Sequence, residues 1–111
     1  MGDRAQVEIV GSGVYLYTHW NGNLLPGIVA KAIAREERWS DREYLARIIF
    51  EEMVDGDGKS PTGYGISSSE HSDVFKFVRV DCEKSTVVVE GYNTGVDGEY
   101  SFQEYVEEVV E

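Results

Sequence analysis

Runs of β-branched and aromatic residues gather at the two ends of this chain, and two helical runs lie side by side between them. At the first end "QVEIV" and "VYLYTH" flank "GSG", the pattern of two strands joined by a short glycine turn. Further on, "TGYGISSS", "DVFKFVRVDC" and "TVVVEGY" read as three strands, the last two joined across "EKS". In between, Leu25, Ile28, Val29, Ala32 and Ile33 repeat at helical spacing up to about Arg38, with Pro26 in the first turn, where its missing N–H costs nothing. "WSDREY" then offers Ser40 as N-cap with Glu43 three residues on, and Trp39 and Tyr44 as the flanking apolar staple. Tyr44, Leu45, Ile48, Ile49 and Met53 form the stripe that follows, and Gly56 is its stop. "YSFQEY" repeats the device near the C-terminus, where Ser101 and Glu104 make the box and Tyr100 and Tyr105 the staple. Phe102, Tyr105, Val106, Val109 and Val110 continue it as an amphipathic helix. The order ββ-αα-βββ-α segregates strands from helices. It predicts a single α+β domain over residues 1–111, with a mostly antiparallel sheet of about five strands and the helices packed on one face.

Charge separates the two halves of the sequence. Residues 1–50 hold six acids and six bases, whereas residues 51–111 hold fifteen acids against four bases, which is the whole net charge of −11. Such a balance repels phosphates, so direct nucleic-acid binding is disfavoured, and a basic protein partner is the natural complement. With 41% hydrophobic residues the chain is globular in composition, and it holds no apolar run approaching a membrane span. One cysteine, Cys82, rules out an internal disulfide and fits a reducing compartment, so a cytoplasmic protein is expected. Composition leaves the oligomeric state open.

"VYLYTHWNGNLLPG" is the stretch that carries the most chemistry. Val14, Leu16 and Thr18 point to one face, and Tyr15, Tyr17 and His19 to the other. One reading makes a small-molecule site or minor enzyme of Tyr17, His19, Asn21 and Asn23, with His71 of "SSSEHSD" as a distant contributor. The other makes it the corner where a strand hands over to a helix, because Asn and Gly suit a tight turn and Trp20 packs beneath it. Neither a GxGxxG nor a GxxxxGK[ST] spacing follows the strand. His19, His71 and Cys82 share no metal-ligand spacing, so neither a metal nor a cofactor is expected. "DGDGKSPTGYGI" fails as a calcium loop, since Lys59, Ser60 and Ile66 stand where oxygen ligand, glycine and glutamate are needed; it reads as a loop able to serve as a binding edge. Glu104, Glu107, Glu108 and Glu111 recur opposite the last valine stripe, a carboxylate row able to imitate a phosphate backbone.

The corner together with "YLARIIFEEMV" and "TGYGISS" resembles a family of small uncharacterised proteins of bacteria and their phages, over about residues 14 to 90. The family carries a "LYTHW-x-G-x-x-L-P" corner, a "YLARIIF" helix and a glycine-tyrosine-glycine strand. The resemblance implies a shared fold and a shared corner around Tyr17, Thr18, His19, Trp20 and Gly22, and it transfers no catalytic residue. The expectation is therefore a non-enzymatic acidic protein-binding module, in the manner of a phage or mobile-element inhibitor of a basic nucleic-acid-handling partner, with Glu104, Glu107, Glu108 and Glu111 at its surface.

Overall fold

In the computed structural model, which describes residues 3–56, 62–92 and 95–109, six strands share one sheet. β1 (Ala5–Ile9) and β2 (Val14–Thr18) form the expected hairpin, with Val7 opposite Leu16. β3 (Tyr64–Ser67) adds antiparallel to β2. β4 (Phe77–Asp81) adds to the other side of β1, and this contact is parallel, with Val7 beside Val78. β5 (Thr86–Glu90) and β6 (Gly98–Ser101) then follow antiparallel, which gives the order β3-β2-β1-β4-β5-β6. The α+β class and the mostly antiparallel sheet match expectation. The strand count does not: there are six, in the order ββ-αα-ββββ-α, and the central pair is parallel. β6 escapes a sequence reading because "GEYS" lacks apolar alternation; pairing with β5 holds it, Val87 opposite Tyr100 and Val88 opposite Glu99.

The helices depart from expectation at their ends. α1 (Leu25–Ala34) stops before Arg38, because Glu36 and Arg38 take left-handed φ values of 57° and 58°. α2 (Arg42–Val54) is capped by Asp41 instead of Ser40; the Asp41 carboxylate accepts from the Glu43 and Tyr44 backbone N–H groups at 3.2 and 3.4 Å. With the cap at Asp41, the residue before it is Ser40, so Trp39 is not at the staple position. Its indole N–H donates to the Ile33 carbonyl at 2.8 Å and its ring meets Phe102 edge-on. α3 (Phe102–Glu108) carries the expected box in full, Glu104 N–H to Ser101 Oγ at 3.1 Å and Ser101 N–H to Glu104 Oε1 at 2.9 Å. The Tyr100 and Tyr105 rings lie 5.4 Å apart as its staple.

All three helices cover one sheet face. Ala5, Val7, Ile9 and Leu16 from β1 and β2, with Val78, Val80, Val87 and Val89 from β4 and β5, meet Val29 and Ile33 of α1, Leu45 and Ile49 of α2, and Phe102 of α3. Each valine, leucine, isoleucine and phenylalanine among them contributes about 1.5–3 kcal/mol by leaving water. Tyr105 is fully buried here; its hydroxyl donates to the Pro26 carbonyl at 2.7 Å, and burial pushes its ionisation far above the usual phenol range. Among the described residues, no helix is long and apolar enough to cross a membrane.

Two substitutions test this account. Ser101→Ala removes the cap and is expected to cost about 0.5–2 kcal/mol, read as a lower urea midpoint at unchanged slope. Gly91→Ala is expected to be worse, since φ there is +87° and a Cβ would sit 1.9 Å from the Phe75 carbonyl oxygen.

Candidate functional site

The corner after β2 is tied down by its own polar groups. The Asp3 backbone N–H donates to the His19 carbonyl at 2.6 Å, and Gly22 N–H donates back to the Asp3 carbonyl at 2.8 Å. Asp3 Oδ2 accepts from Asn23 N–H at 2.8 Å, while Lys76 Nζ donates to both Asp3 Oδ1 (2.6 Å) and Asn23 Oδ1 (2.7 Å). Asn21 donates from its backbone to Thr18 Oγ1 and from its side chain to the Tyr64 hydroxyl, at 3.3 and 3.4 Å. The Tyr92 hydroxyl closes the set on the Gly22 carbonyl at 2.7 Å. Gly22 is obligatory in this clamp, because a Cβ would lie 2.5 Å from the Asp3 carbonyl oxygen. Both asparagines thus spend their amides on holding the turn.

Burial opposes ionisation of Asp3, yet the hydrogen bonds from Lys76 and the Asn23 N–H outweigh it and hold its carboxyl below the usual range. Burial, with the nearby charges of Asp3 and Asp97, pushes the Tyr92 phenol well up.

The face of the sheet away from the helices is crossed by residues 68–76, which carry the chain from β3 to β4. Gln6 of β1, 0% exposed, anchors this strap. Its amide NH2 donates to Ser67 Oγ (3.3 Å) and the Ser69 carbonyl (3.4 Å), and its Oε1 accepts from His71 N–H (2.9 Å). Ion pairs hold the strap further on, Arg4 with Asp73 and Arg79 with Glu70. Arg79 also reaches Glu8 at 2.7 Å and Glu90 at 3.1 Å, with its guanidinium 4.5 Å from the Phe77 ring centre. Burial alone would favour loss of the Arg79 proton, but these carboxylates hold it firmly.

The strap brings His71 to the corner. Its ring lies 5.0 Å from Tyr17, whose hydroxyl is 3.1 Å from His19 Nδ1. His19 meets Trp20 edge-on, and Trp20 meets Tyr64 likewise, at 6.1 and 5.9 Å between centroids. Tyr17, His19 and His71 therefore come together, although 52 positions separate the two histidines in the chain. Cys82 lies at the opposite end of β4, beside a cavity of about 600 Å³ lined by Arg38, Ser40, Asp41, Arg42, Glu43 and Glu83. Burial pushes its thiol up, and Asp81 adds to that. Among the described residues, no cluster of His, Cys, Asp and Glu is placed to hold a metal ion.

The acidic row is placed on α3. Glu104 spends its carboxylate on the Ser101 cap, and Glu107 accepts from Gln103 Nε2 at 2.9 Å. Glu108 is exposed, and its charge helps raise the Tyr100 phenol, after burial. Glu111 lies outside the described residues, as does the 57–61 part of the "DGDGKSPTGYGI" loop.

Asp3, Gln6 and Lys76 were not singled out by sequence reasoning. Nothing in "QVEIV" distinguishes a buried glutamine from an exposed one, and only the unusual pairing of β1 with β4 makes it matter. Compared with family models, with curated proteins and with solved structures, the chain finds no match.

The clamp implies a pH dependence. Asp3 has a folded pKa below its unfolded one, so its contribution to stability is complete above the unfolded value of about 3.9 and is lost as pH falls through the folded value. Asp3→Asn is expected to flatten the acid limb of stability against pH, measured by urea titration between neutral pH and strong acid. An unchanged acid limb would remove Asp3 from the clamp.

Proposed function

We propose that the protein is a non-enzymatic binding module whose flank of β6 and α3 meets a basic surface on a protein partner, in the way phosphates meet a nucleic-acid-handling protein. What carries the reading is where the cations go. Arg4, Arg35, Arg47, Lys76 and Arg79 all pair with acids in residues 3–90. Residues 91–111 hold Asp97, Glu99, Glu104, Glu107, Glu108 and Glu111 and no lysine or arginine. Among the described residues, none of Glu99, Glu104, Glu107 and Glu108 has an ion-pair partner. A flank of this kind attracts a cationic surface over a Debye length, about 10 Å at 0.1 M salt, and repels nucleic acid. The free thiol of Cys82 suits a cytoplasmic setting for such an encounter.

A second reading, a small-molecule site or minor enzyme at the His19 corner, draws on the approach of His71 to Tyr17 and His19. Against it stand the asparagine amides of the corner, which are already hydrogen-bonded within the fold.

Affinity capture from a cell lysate at low and high salt, repeated with Glu99, Glu107 and Glu108 changed together to glutamine, tests the first reading. Basic proteins are expected to bind at low salt, to leave by about 1 M salt, where the Debye length is about 3 Å, and to be lost with the triple variant. Glu104 is left in place because it caps α3. Partners that ignore both salt and the substitutions would refute it. Amide and imidazole NMR shifts with a captured partner then separate the two sites, since the second reading requires the perturbation at His19 and His71.

A further inference from the structure

We infer that the free edge of β3 is a self-pairing surface, through which two copies of this chain join their sheets antiparallel about a two-fold axis at Gly65. The phase of the ladder is set by the His19 N–H, which donates to the Gly63 carbonyl at 2.8 Å. Because antiparallel partners alternate between bonded and unbonded pairs, Gly63, Gly65 and Ser67 turn their backbone groups toward β2, and Tyr64 and Ile66 turn theirs outward. Among the described residues β3 ends the sheet, and no described strand lies beside these outward groups.

A second copy meets them in register. Setting Tyr64 against Ile66 of the other copy, and Ile66 against its Tyr64, makes two bonded pairs, with the two Gly65 residues facing each other on the axis. The side chains agree with that register. Ile66 is 65% exposed on the helix-side face, and in the dimer it lies against a tyrosine ring, a β-branched and aromatic cross-strand pair. Trp20, 46% exposed and edge-on to Tyr64, widens the apolar patch.

Charge selects the occupant. In a chain of net charge −11, residues 62–69 ("TGYGISSS") carry no charge at all. Two copies can touch here without setting carboxylate against carboxylate, while a basic partner finds nothing to read. Between Tyr64 and Ser67 the strand is guarded by its shortness alone, for it holds no lysine, proline or inward charge. The opposite edge, β6, does carry Glu99.

The contact is small, so the dimer is weak and concentration-dependent. Because the two copies repel each other at long range, added salt strengthens it, opposite in sign to the encounter proposed for the acidic flank. Sedimentation velocity on the full chain, from micromolar to millimolar and at low and high salt, is expected to show monomer passing to dimer, more completely at high salt. Ile66→Lys is expected to abolish the dimer although it lowers the net repulsion, and Ile66→Pro to abolish it by removing an outward N–H that β2 does not use. Circular dichroism and urea titration check that both variants remain folded. Gly65→Cys in a Cys82→Ser background is expected to give a disulfide-linked dimer on mild oxidation, since the two Cα atoms face each other at about 4.5 Å across an unbonded pair. A Cβ at Gly65 meets nothing within 4 Å, so the variant is tolerated. A monomer under all conditions, a dimer indifferent to Ile66, or an edge that accepts only a foreign peptide strand would each overturn the inference.

Discussion

The parallel pairing of β1 with β4 is the constraint from which the rest of the structure follows. β3 runs parallel to β1, because both are antiparallel to β2. To enter β4 parallel to β1, the chain must therefore return the length of a strand and cross three strand positions, about 15 Å each way. Helices fill one face of the sheet, so the return crosses the other. Residues 68–76 can reach about 30 Å if fully extended, enough for that diagonal with slack for the turn at His71–Asp73. A strap lying on a sheet places backbone polar groups over it, and these need partners. Gln6 supplies them from beneath, which is why a fully buried amide stands in the central strand.

The same crossing distributes the charges. Lys76, at the strap's end, locks Asp3 and Asn23; Arg4 takes Asp73; Arg79 gathers Glu8, Glu70 and Glu90 from a neighbouring strand on each side and from the strap between. Ion pairs as exposed as Arg4–Asp73 contribute little to stability, about 0–1 kcal/mol each, but they consume cations. In a chain with 10 lysines and arginines and 21 acids, residues 91–111 hold no cation of their own, and those paired around the strap and with α2 are engaged elsewhere. The electrical asymmetry visible in the sequence is thus sharpened by the topology.

Local patterns were legible and long-range pairings were not. The β1–β2 hairpin, the Ser101–Glu104 box and the Tyr100–Tyr105 staple are each written within a few residues, and each is present. The box expected at Ser40 slipped by one residue, because Asp41 is an equally good cap and Trp39 is drawn away to Ile33 and Phe102. The strand expected from Asp73 begins at Phe77, since Val74, Phe75 and Lys76 belong to the strap in spite of their alternation. At the corner, turn chemistry was readable from "NGN", but the clamp depends on Asp3 and Lys76, which approach only when β4 lies beside β1. His71 reaches Tyr17 for the same reason, and no spacing rule could have placed it there.

The two edges of the sheet obey different physics. At β6 the backbone groups of the edge lie near Glu99 and the α3 carboxylates, so an acidic strand approaching it is repelled before hydrogen bonds form. At β3 the backbone is framed by glycine, tyrosine and isoleucine, where short-range pairing and burial decide and long-range charge acts only through the rest of the molecule. A sheet closed by the parallel β1–β4 pair holds these edges rigidly at opposite ends of the strand order. The two proposed encounters therefore need not exclude each other, and salt, which would weaken the one at the acidic edge, would favour the one at the neutral edge.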